Sequence, residues 1–410
     1  MTTDPSPHQF SPRLRNGVLE FPVHHLRGGT STGLVLWERW APPSLPQSLR
    51  EELLRHLMGV PLAGHHDGNR QITGLGRGSP TSNKVFFAAI ERVDGATAIV
   101  STLAQLAHNH GAIDWSVNCG NMSAALPLWA LDMQLLAARS DGPTDIALRN
   151  TNTGVVTVSR MHIGPDGRYF SAEIPGVDGA YPAVDLFMQA PVGAKTGRLL
   201  PTGNVVDVID GYHVSCVDVA VPMVICDARE LGKTGHEPVA ELDADSAFKQ
   251  VLQRLWVAAG LRMGLTRRDG VLMTAAELAR SETIPKICIV GAPQAGGHIA
   301  VRYFTPQSGH ASMAVSGGCC LAAATLIPGS IAQQVARGVS ALGNAYADIA
   351  VAIENPAGML DATVVARRQD GLPDIRSAAY RRNAQLLLRG HVPLYRASDA
   401  LVAALLATTR

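Results

Sequence analysis

Short apolar stretches rich in β-branched residues, most of them bounded by Gly or Pro, recur along the chain at 85–90, 98–103, 155–158, 214–219, 287–290 and 299–304. This pattern predicts strands. Between some of them apolar positions recur at helical spacing instead. Leu49, Leu53, Leu54, Leu57 and Met58 form one stripe that stops at Gly59, and Phe248, Val251, Leu252, Leu255, Trp256 and Ala259 form a second that starts near Ser246. Both read as amphipathic helices lying on a core. The strands come in runs rather than in regular strand–helix alternation, which points to a mixed α/β or α+β chain.

Two helical segments have no polar face. Residues 119–133 are apolar nearly all round up to Asp132, and residues 319–327 are apolar throughout. Helices of that kind must be enclosed on every side. Pro127 should kink the first or confine its regular part to one side. The two segments align at an offset of 198 (315 minus 117), with Val117 on Val315, Gly120 on Gly318, Ala124 on Ala322, Ala125 on Ala323 and Leu128 on Leu326. The match predicts two related halves, each a buried helix wrapped by sheet. The Pro- and Gly-rich stretch 181–203 is the expected crossover.

Length and composition narrow the picture further. At 410 residues the chain is long enough for two domains. Apolar residues make up 46% and charged residues 17%, which excludes a disordered chain. Thirty-five Lys and Arg against 34 Asp and Glu leave no basic excess with which to neutralise phosphates, so nucleic acid is not the expected partner. Six cysteines without a C-x-x-C pair exclude a zinc cage and a disulfide scaffold as expectations, and suit a reducing compartment. The polar N-terminus (1–12) lacks the apolar core of a signal peptide. No run approaches ~20 apolar residues, so a soluble cytoplasmic protein is expected.

Candidate chemistry gathers at few places. Cys119 stands in Asn118-Cys119-Gly120-Asn121-Met122, where a helix begins. Free backbone N–H groups there favour a thiolate or hold a carboxylate. The competing reading, a buried inert thiol, does not call for such polar flanks. Lys84 opens the strand at 85–90 after the glycine-rich run Gly74-Leu75-Gly76-Arg77-Gly78. A solvated surface lysine is the plain reading, whereas burial at a strand entry lowers its pKa and makes it a usable base. Arg27-Gly28-Gly29-Thr30-Ser31 is a turn that suits either a small anion nest or a simple strand connection, and it carries neither a Walker A ending nor a dinucleotide fingerprint. His310 precedes the second apolar helix as an acid, a base, a carboxylate ligand or a structural histidine. In the internal alignment Gly317 takes the place of Cys119, which leaves Cys319 and Cys320 as packing residues. His65, His66 and Asp67 lack a third ligand at metal spacing and read as loop.

The motifs 27–33 (RGGTSTG), 74–85 (GLGRGSPTSNKV), 118–122 (NCGNM), 194–204, 214–237 and 310–317 (HASMAVSG) lie in the order found in one family. The chain resembles the PrpF-type isomerases, a group that includes 2-methylaconitate cis–trans isomerase, 3-methylitaconate isomerase and 4-oxalomesaconate tautomerase. The resemblance, which covers about nine-tenths of the chain, implies an α+β fold like that of diaminopimelate epimerase. It has two pseudo-symmetric domains, each a sheet around a central helix, with the site in the cleft between them. The expected bounds are 1–190, completed by 386–410, for the first domain and 191–385 for the second. It implies no metal and no organic cofactor, and places the acid/base pair on Lys84 and Cys119. Substrate contacts then fall on Arg27, Thr30, Ser31 and Ser82, on Asn118, Gly120, Asn121 and Met122, and, in the second half, on Arg302, His310, Ser312, Met313, Ser316 and Gly317. Departures from the family pattern stand at Thr32, Thr73, Arg77, Ser82-Asn83, Asn355-Pro356-Ala357-Gly358 and Arg382-Asn383-Ala384-Gln385.

The expected activity is a cofactor-independent 1,3-allylic proton shift, or tautomerisation, on a small unsaturated di- or tricarboxylate. Three alternatives stay open: an amino-acid epimerase or racemase of the same fold, a hydrolase with Cys119 as nucleophile and His310 as base, and a carboxylate-binding protein without catalysis. The expected partner is the small acid, with neither nucleic acid nor membrane, and a homodimer is compatible with the sequence.

Overall fold

The computed structural model describes residues 10–78, 82–93, 95–116, 118–139, 142–267 and 269–409. Residues 1–9 of the polar N-terminus, Ser79, Pro80 and Thr81 of the glycine-rich motif, and Val117 lie outside the described residues. The chain divides into two compact units. The first comprises Met1–Glu173, Gly179–Leu186 and Arg382–Arg410, and the second Ile174–Asp178 and Phe187–Arg381. The passage from first to second unit at residue 187 falls inside the strand Val177–Gln189, within the stretch expected to be the crossover.

In the first unit the strand Val18–Gly28 pairs antiparallel with Ser31–Trp37, which runs parallel to Lys84–Val93. Ala96–Leu106, Pro143–Asn150 and Val156–His162 extend the sheet. On the other side of Val18–Gly28, residues 384–394 of the last strand return antiparallel. Side chains alternate between faces along each strand. Leu26, Val35, Phe86, Ala88 and Ile99 share one core with Met122 and with the central helix Ala125–Asp132, to which Trp129 belongs. Phe21, Val23, Leu34, Val85 and Phe87 face the opposite way, onto the helices Gln47–Met58 and Asp399–Ala407.

The second unit repeats the scheme. Strands Tyr212–Val219, Val221–Asp227, Lys286–Gly291, Ile299–Phe304, Ala347–Asn355 and Gly358–Gln369 pair in that order, and residues 372–380 complete the sheet. One face encloses the helix Val315–Ala324 and the other carries Ser246–Arg262.

Local sequence accounts for the helix ends. Gly59 adopts the left-handed conformation that stops Gln47–Met58, and the Asp245 carboxylate accepts from the Phe248 amide to start Ser246–Arg262. The apolar segment 119–133 forms a single turn, Gly120–Ser123, followed by Ala125–Asp132. Pro127 sits in the first turn of the second piece, where its missing N–H leaves no helical bond unmade. The helix expected at 319–327 starts earlier, at Val315, and stops at Ala324. Gly317 lets its first turn lie against Tyr303. A β-carbon at that position would come 2.5 Å from the Tyr303 ring, so the ring fills the space of a side chain. No helix among the described residues is long and apolar enough to cross a membrane.

Candidate active site

Strand alternation decides where Lys84 points. Lys84, Phe86 and Ala88 share one face, and Phe86 and Ala88 share one core with the central helix, so the Lys84 side chain enters the sheet on the side that helix covers. Lys84 is only 5% exposed. Its neighbour in the ladder is Gly33, where a β-carbon would run into the Lys84 carbonyl. Gly28 does the same for the helix. A β-carbon there would fall 2.5 Å from the Asn121 carbonyl and 2.9 Å from that of Met122. Both glycines are close-approach positions, and together they bring Lys84 and the start of the central helix onto the same strands.

Cys119 caps that start. Its Sγ accepts the Met122 N–H at 3.5 Å and lies 3.9 Å from Ser31 Oγ. The Cys119 N–H donates to Asn118 Oδ1 at 2.7 Å, and Ser123 Oγ donates to the Cys119 carbonyl at 2.9 Å, so the residue is held from both sides. Cys119 is half-buried. Burial pulls the Lys84 ammonium below the ordinary lysine value, and the charge of Cys119 pulls it part of the way back up. A shift of a proton between two carbon positions requires one group to take a proton and another to return it, and a lysine and a thiol are both side chains that can do so.

The turn before the helix is fixed from its own side. The Arg27 Nη1 donates to the Gly29 carbonyl (2.8 Å) and to Asn383 Oδ1 (2.6 Å), its Nε to Gln385 Oε1 (3.3 Å), and its plane lies 4.6 Å from the Tyr181 ring centre. Its Nη2 is buried without a hydrogen-bond partner among the described residues. Asn121 Nδ2 donates to Thr30 Oγ1 at 3.2 Å. The structure thus brings Arg27, Thr30, Ser31, Asn118, Cys119, Gly120 and Asn121 to one turn and one helix start. Ser82 is half-buried two positions before Lys84. Met122 is fully buried, and its side chain belongs to the core around the helix.

In the second unit His310 donates its N–H to the Tyr303 carbonyl (2.8 Å), packs edge-on to the Tyr303 ring, and accepts the Ser312 N–H on Nδ1 at 2.9 Å. Ser316 and Gly317 are the second and third residues of the helix that follows, and Ala314 is its cap. The internal alignment puts Gly317 opposite Cys119, but the caps themselves are Cys119 and Ala314, 195 apart (314 minus 119). Met313 is a core residue. The guanidinium of Arg302 donates to the carbonyls of Glu237 (2.5 Å), His236 (2.6 Å) and Val301 (2.9 Å), which makes it an anchor for the 236–237 segment. Cys320 is fully buried, donates to the Val217 carbonyl at 3.5 Å, and has its thiol pKa pushed up by burial. His65 pairs with His110 in a loop, and no cluster of three or more potential metal ligands occurs among the described residues.

A model of the PrpF protein family matches residues 18–395. The chain belongs to the PrpF family. The 4-oxalomesaconate tautomerase of Pseudomonas putida is 34% identical over 379 residues, which is 92% of this chain and 96% of that protein. The (4E)-oxalomesaconate Delta-isomerase of Novosphingobium sp. is 31% identical, over 93% of this chain and 99% of that protein. The fold is that of a solved methylitaconate-delta-isomerase, with a TM-score of 0.75 at 27% identity over 93% of this chain and 97% of that one. The activity class of this PrpF chain is isomerase.

Some of the positions expected to depart from the family pattern have structural roles. Asn383 and Gln385 are the side chains that hold Arg27. Asn355 is buried and accepts the Ala357 N–H in its own turn at 3.0 Å. Thr73 and Arg77 are exposed, and Thr32 is half-buried. The residue that sequence reading missed is Gln71, buried next to Asn83 at the entry to Lys84. It carries no sequence signal, because a glutamine in a loop reads as solvated.

Proposed function

We propose that this chain catalyses a 1,3-allylic proton shift or tautomerisation on a small unsaturated di- or tricarboxylate, with Lys84 and Cys119 as the proton-transfer pair. The observation that carries the reading is Lys84 buried on the helix-covered face of its strand and electrostatically linked to Cys119 at the helix start. The relatives named above act on oxalomesaconate and methylitaconate, acids in which a C=C bond stands beside carboxylates. Such a skeleton supplies the electron sink that proton abstraction needs, so no cofactor enters the proposed steps.

One member of the pair, unprotonated, takes a proton from the carbon next to the conjugated system. The C–H electron pair moves into the C=C–C=O unit as a dienolate. The other member, protonated, delivers its proton to the far carbon, and the double bond ends one position along. Acid and base forms of the pair are then exchanged and return by proton exchange with solvent. Each group acting in this way contributes roughly 10²–10⁴-fold. Arg27, Thr30, Ser31, Ser82, Asn118, Gly120 and Asn121 are proposed to hold carboxylate or enolate oxygens by hydrogen bonds. Donors matched to a developing oxyanion contribute strongly to such catalysis. His310, Ser312, Ser316 and the Gly317 backbone are proposed to play the same part in the second unit.

The test is incubation in D₂O with 4-oxalomesaconate, 2-methylaconitate and methylitaconate, followed by NMR. Isomerisation of at least one acid, with solvent deuterium on the allylic carbons, is expected, and Lys84→Met should slow both by about 10²-fold or more. Exchange confined to the α-carbon of an amino acid would replace this reading with an epimerase.

A further inference from the structure

The loop leading to Lys84 is closed by two buried side-chain amides. Gln71 is 1% exposed and Asn83 is 0% exposed. They face each other reciprocally: Gln71 Nε2 donates to Asn83 Oδ1 and Asn83 Nδ2 donates to Gln71 Oε1, each at 3.0 Å. Gln71 Nε2 also donates to the Met58 carbonyl (2.8 Å), and Gln71 Oε1 also accepts the Gly78 N–H (2.7 Å). Asn83 Oδ1 takes the Arg77 N–H as well, at 3.1 Å. Two donors and two acceptors are all that a carboxamide has, so Gln71 is saturated and cannot turn. Gly76 leaves the room, since a β-carbon there would collide with Gln71 Nε2 and lie 2.6 Å from Asn83 Oδ1.

This arrangement is held at a backbone expense. Gln71 has φ +56°, the left-handed conformation that a β-carbon resists, and it keeps that conformation while buried. Next in line, the Asn83 carbonyl accepts the Leu106 N–H at 3.0 Å, which ties the residue before Lys84 to the neighbouring strand. Neither amide is exposed enough to meet a substrate. What the pair fixes is the backbone from which Lys84 departs.

We propose that Gln71, through its amide pairing with Asn83, is a positioning residue for Lys84 in the proton transfer. The inference rests on the reading of Lys84 as an acid/base group. A misplacement of about 1 Å in a reacting group lowers turnover by up to about 10²-fold.

Gln71→Leu keeps the volume and removes the pairing. Expected is a kcat about 10- to 100-fold lower on whichever of the three acids above the wild-type chain isomerises. KM should change less than about threefold, since substrate contacts are untouched. The limb of the kcat–pH profile that belongs to Lys84 should move to higher pH as the amine relaxes toward water. In a Lys84→Met background, Gln71→Leu should cost nothing more. The double exchange Gln71→Asn/Asn83→Gln, which keeps the number of methylenes between the two backbones, should recover most of the turnover lost in Gln71→Asn alone. Should Gln71→Leu not fold, Gln71→Asn is read in its place. Unchanged kcat in the Gln71 variant, or losses that multiply with those of Lys84→Met, would overturn the positioning role. A fully active Lys84→Met would instead overturn the reading of Lys84 itself.

Discussion

Gly28 abuts the first turn of the central helix and Gly120 opens that turn, and the structure separates the two sharply. Gly28 has φ outside the left-handed region, so alanine is conformationally allowed there. Its β-carbon would nevertheless sit 2.5 Å from Asn121 O, 2.9 Å from Met122 O and 3.0 Å from Met122 Cα. All three are backbone atoms, and none can rotate away. To reach an ordinary contact near 3.4 Å the first turn of the helix must retreat by about 0.9 Å (3.4 minus 2.5). Overpacking of this kind costs typically 1–3 kcal/mol. With about 200 residues in the first unit, about 2 kcal/mol lowers the melting midpoint by roughly 4–8 °C. The same retreat pulls the Met122 amide and Cys119 away from Ser31, so turnover should fall by up to about 10²-fold. At Gly120 nothing lies within 4 Å of the added carbon. It opens a helical turn, so Gly120→Ala should leave the midpoint unchanged or raise it by the equivalent of roughly 0.5–1 kcal/mol. Scanning calorimetry of both variants, with turnover of Gly28→Ala, decides the matter. A Gly28→Ala protein that melts and turns over like wild type, or a Gly120→Ala protein that loses several degrees, would refute the packing argument.

Lys84→Met should leave the thermal midpoint nearly unchanged, because a buried amine is replaced by an apolar chain of similar length, while turnover falls about 10²-fold or more; near-normal turnover removes Lys84 from the chemistry. Iodoacetamide near neutral pH, read by peptide mass spectrometry, should label half-exposed Cys119 first, since Cys216, whose thiol burial pushes up to about 12, and Cys320 are sealed in the cores; first labelling at either buried thiol contradicts this. His24 and His25 are both pushed down to about 4, chiefly by burial. The unfolded chain therefore binds more protons than the folded one below about pH 6.5, and stability is lost as pH falls from there toward 4, by about 2 kcal/mol per histidine between pH 7.5 and 5. Urea titrations at those two pH values should show a smaller loss in His24→Gln/His25→Gln than in wild type, and an equal loss would refute the assignment. Aconitate-type acids should raise the melting temperature by mass action and monocarboxylates of the same size much less; an equal shift from both would mean that the carboxylates are not held by paired donors.

The sequence by itself determined what depends on near neighbours along the chain. The helix that stops at Gly59 and the helix that starts beside Asp245 follow from caps and from apolar spacing, and the strands follow from short β-branched runs. The two enclosed helices were readable because a helix with no polar face has only one kind of place to be. Motif order carried the family, and with it Lys84 and Cys119 as the pair of interest. Tertiary structure decided everything that depends on which backbones meet. Period-two alternation gives Lys84 a face, but only the pairing of its strand with Ser31–Trp37, and the helix lying across both, makes that face the one beside Cys119. Arg302 is expected from the sequence among the substrate contacts, and only the fold shows it holding three carbonyls. Gln71 reads as a solvated loop residue, and only the closure of the loop onto Asn83 buries it. Hydrogen bonds and close approaches between residues far apart in sequence leave no periodic trace along the chain, so no spacing rule reaches them.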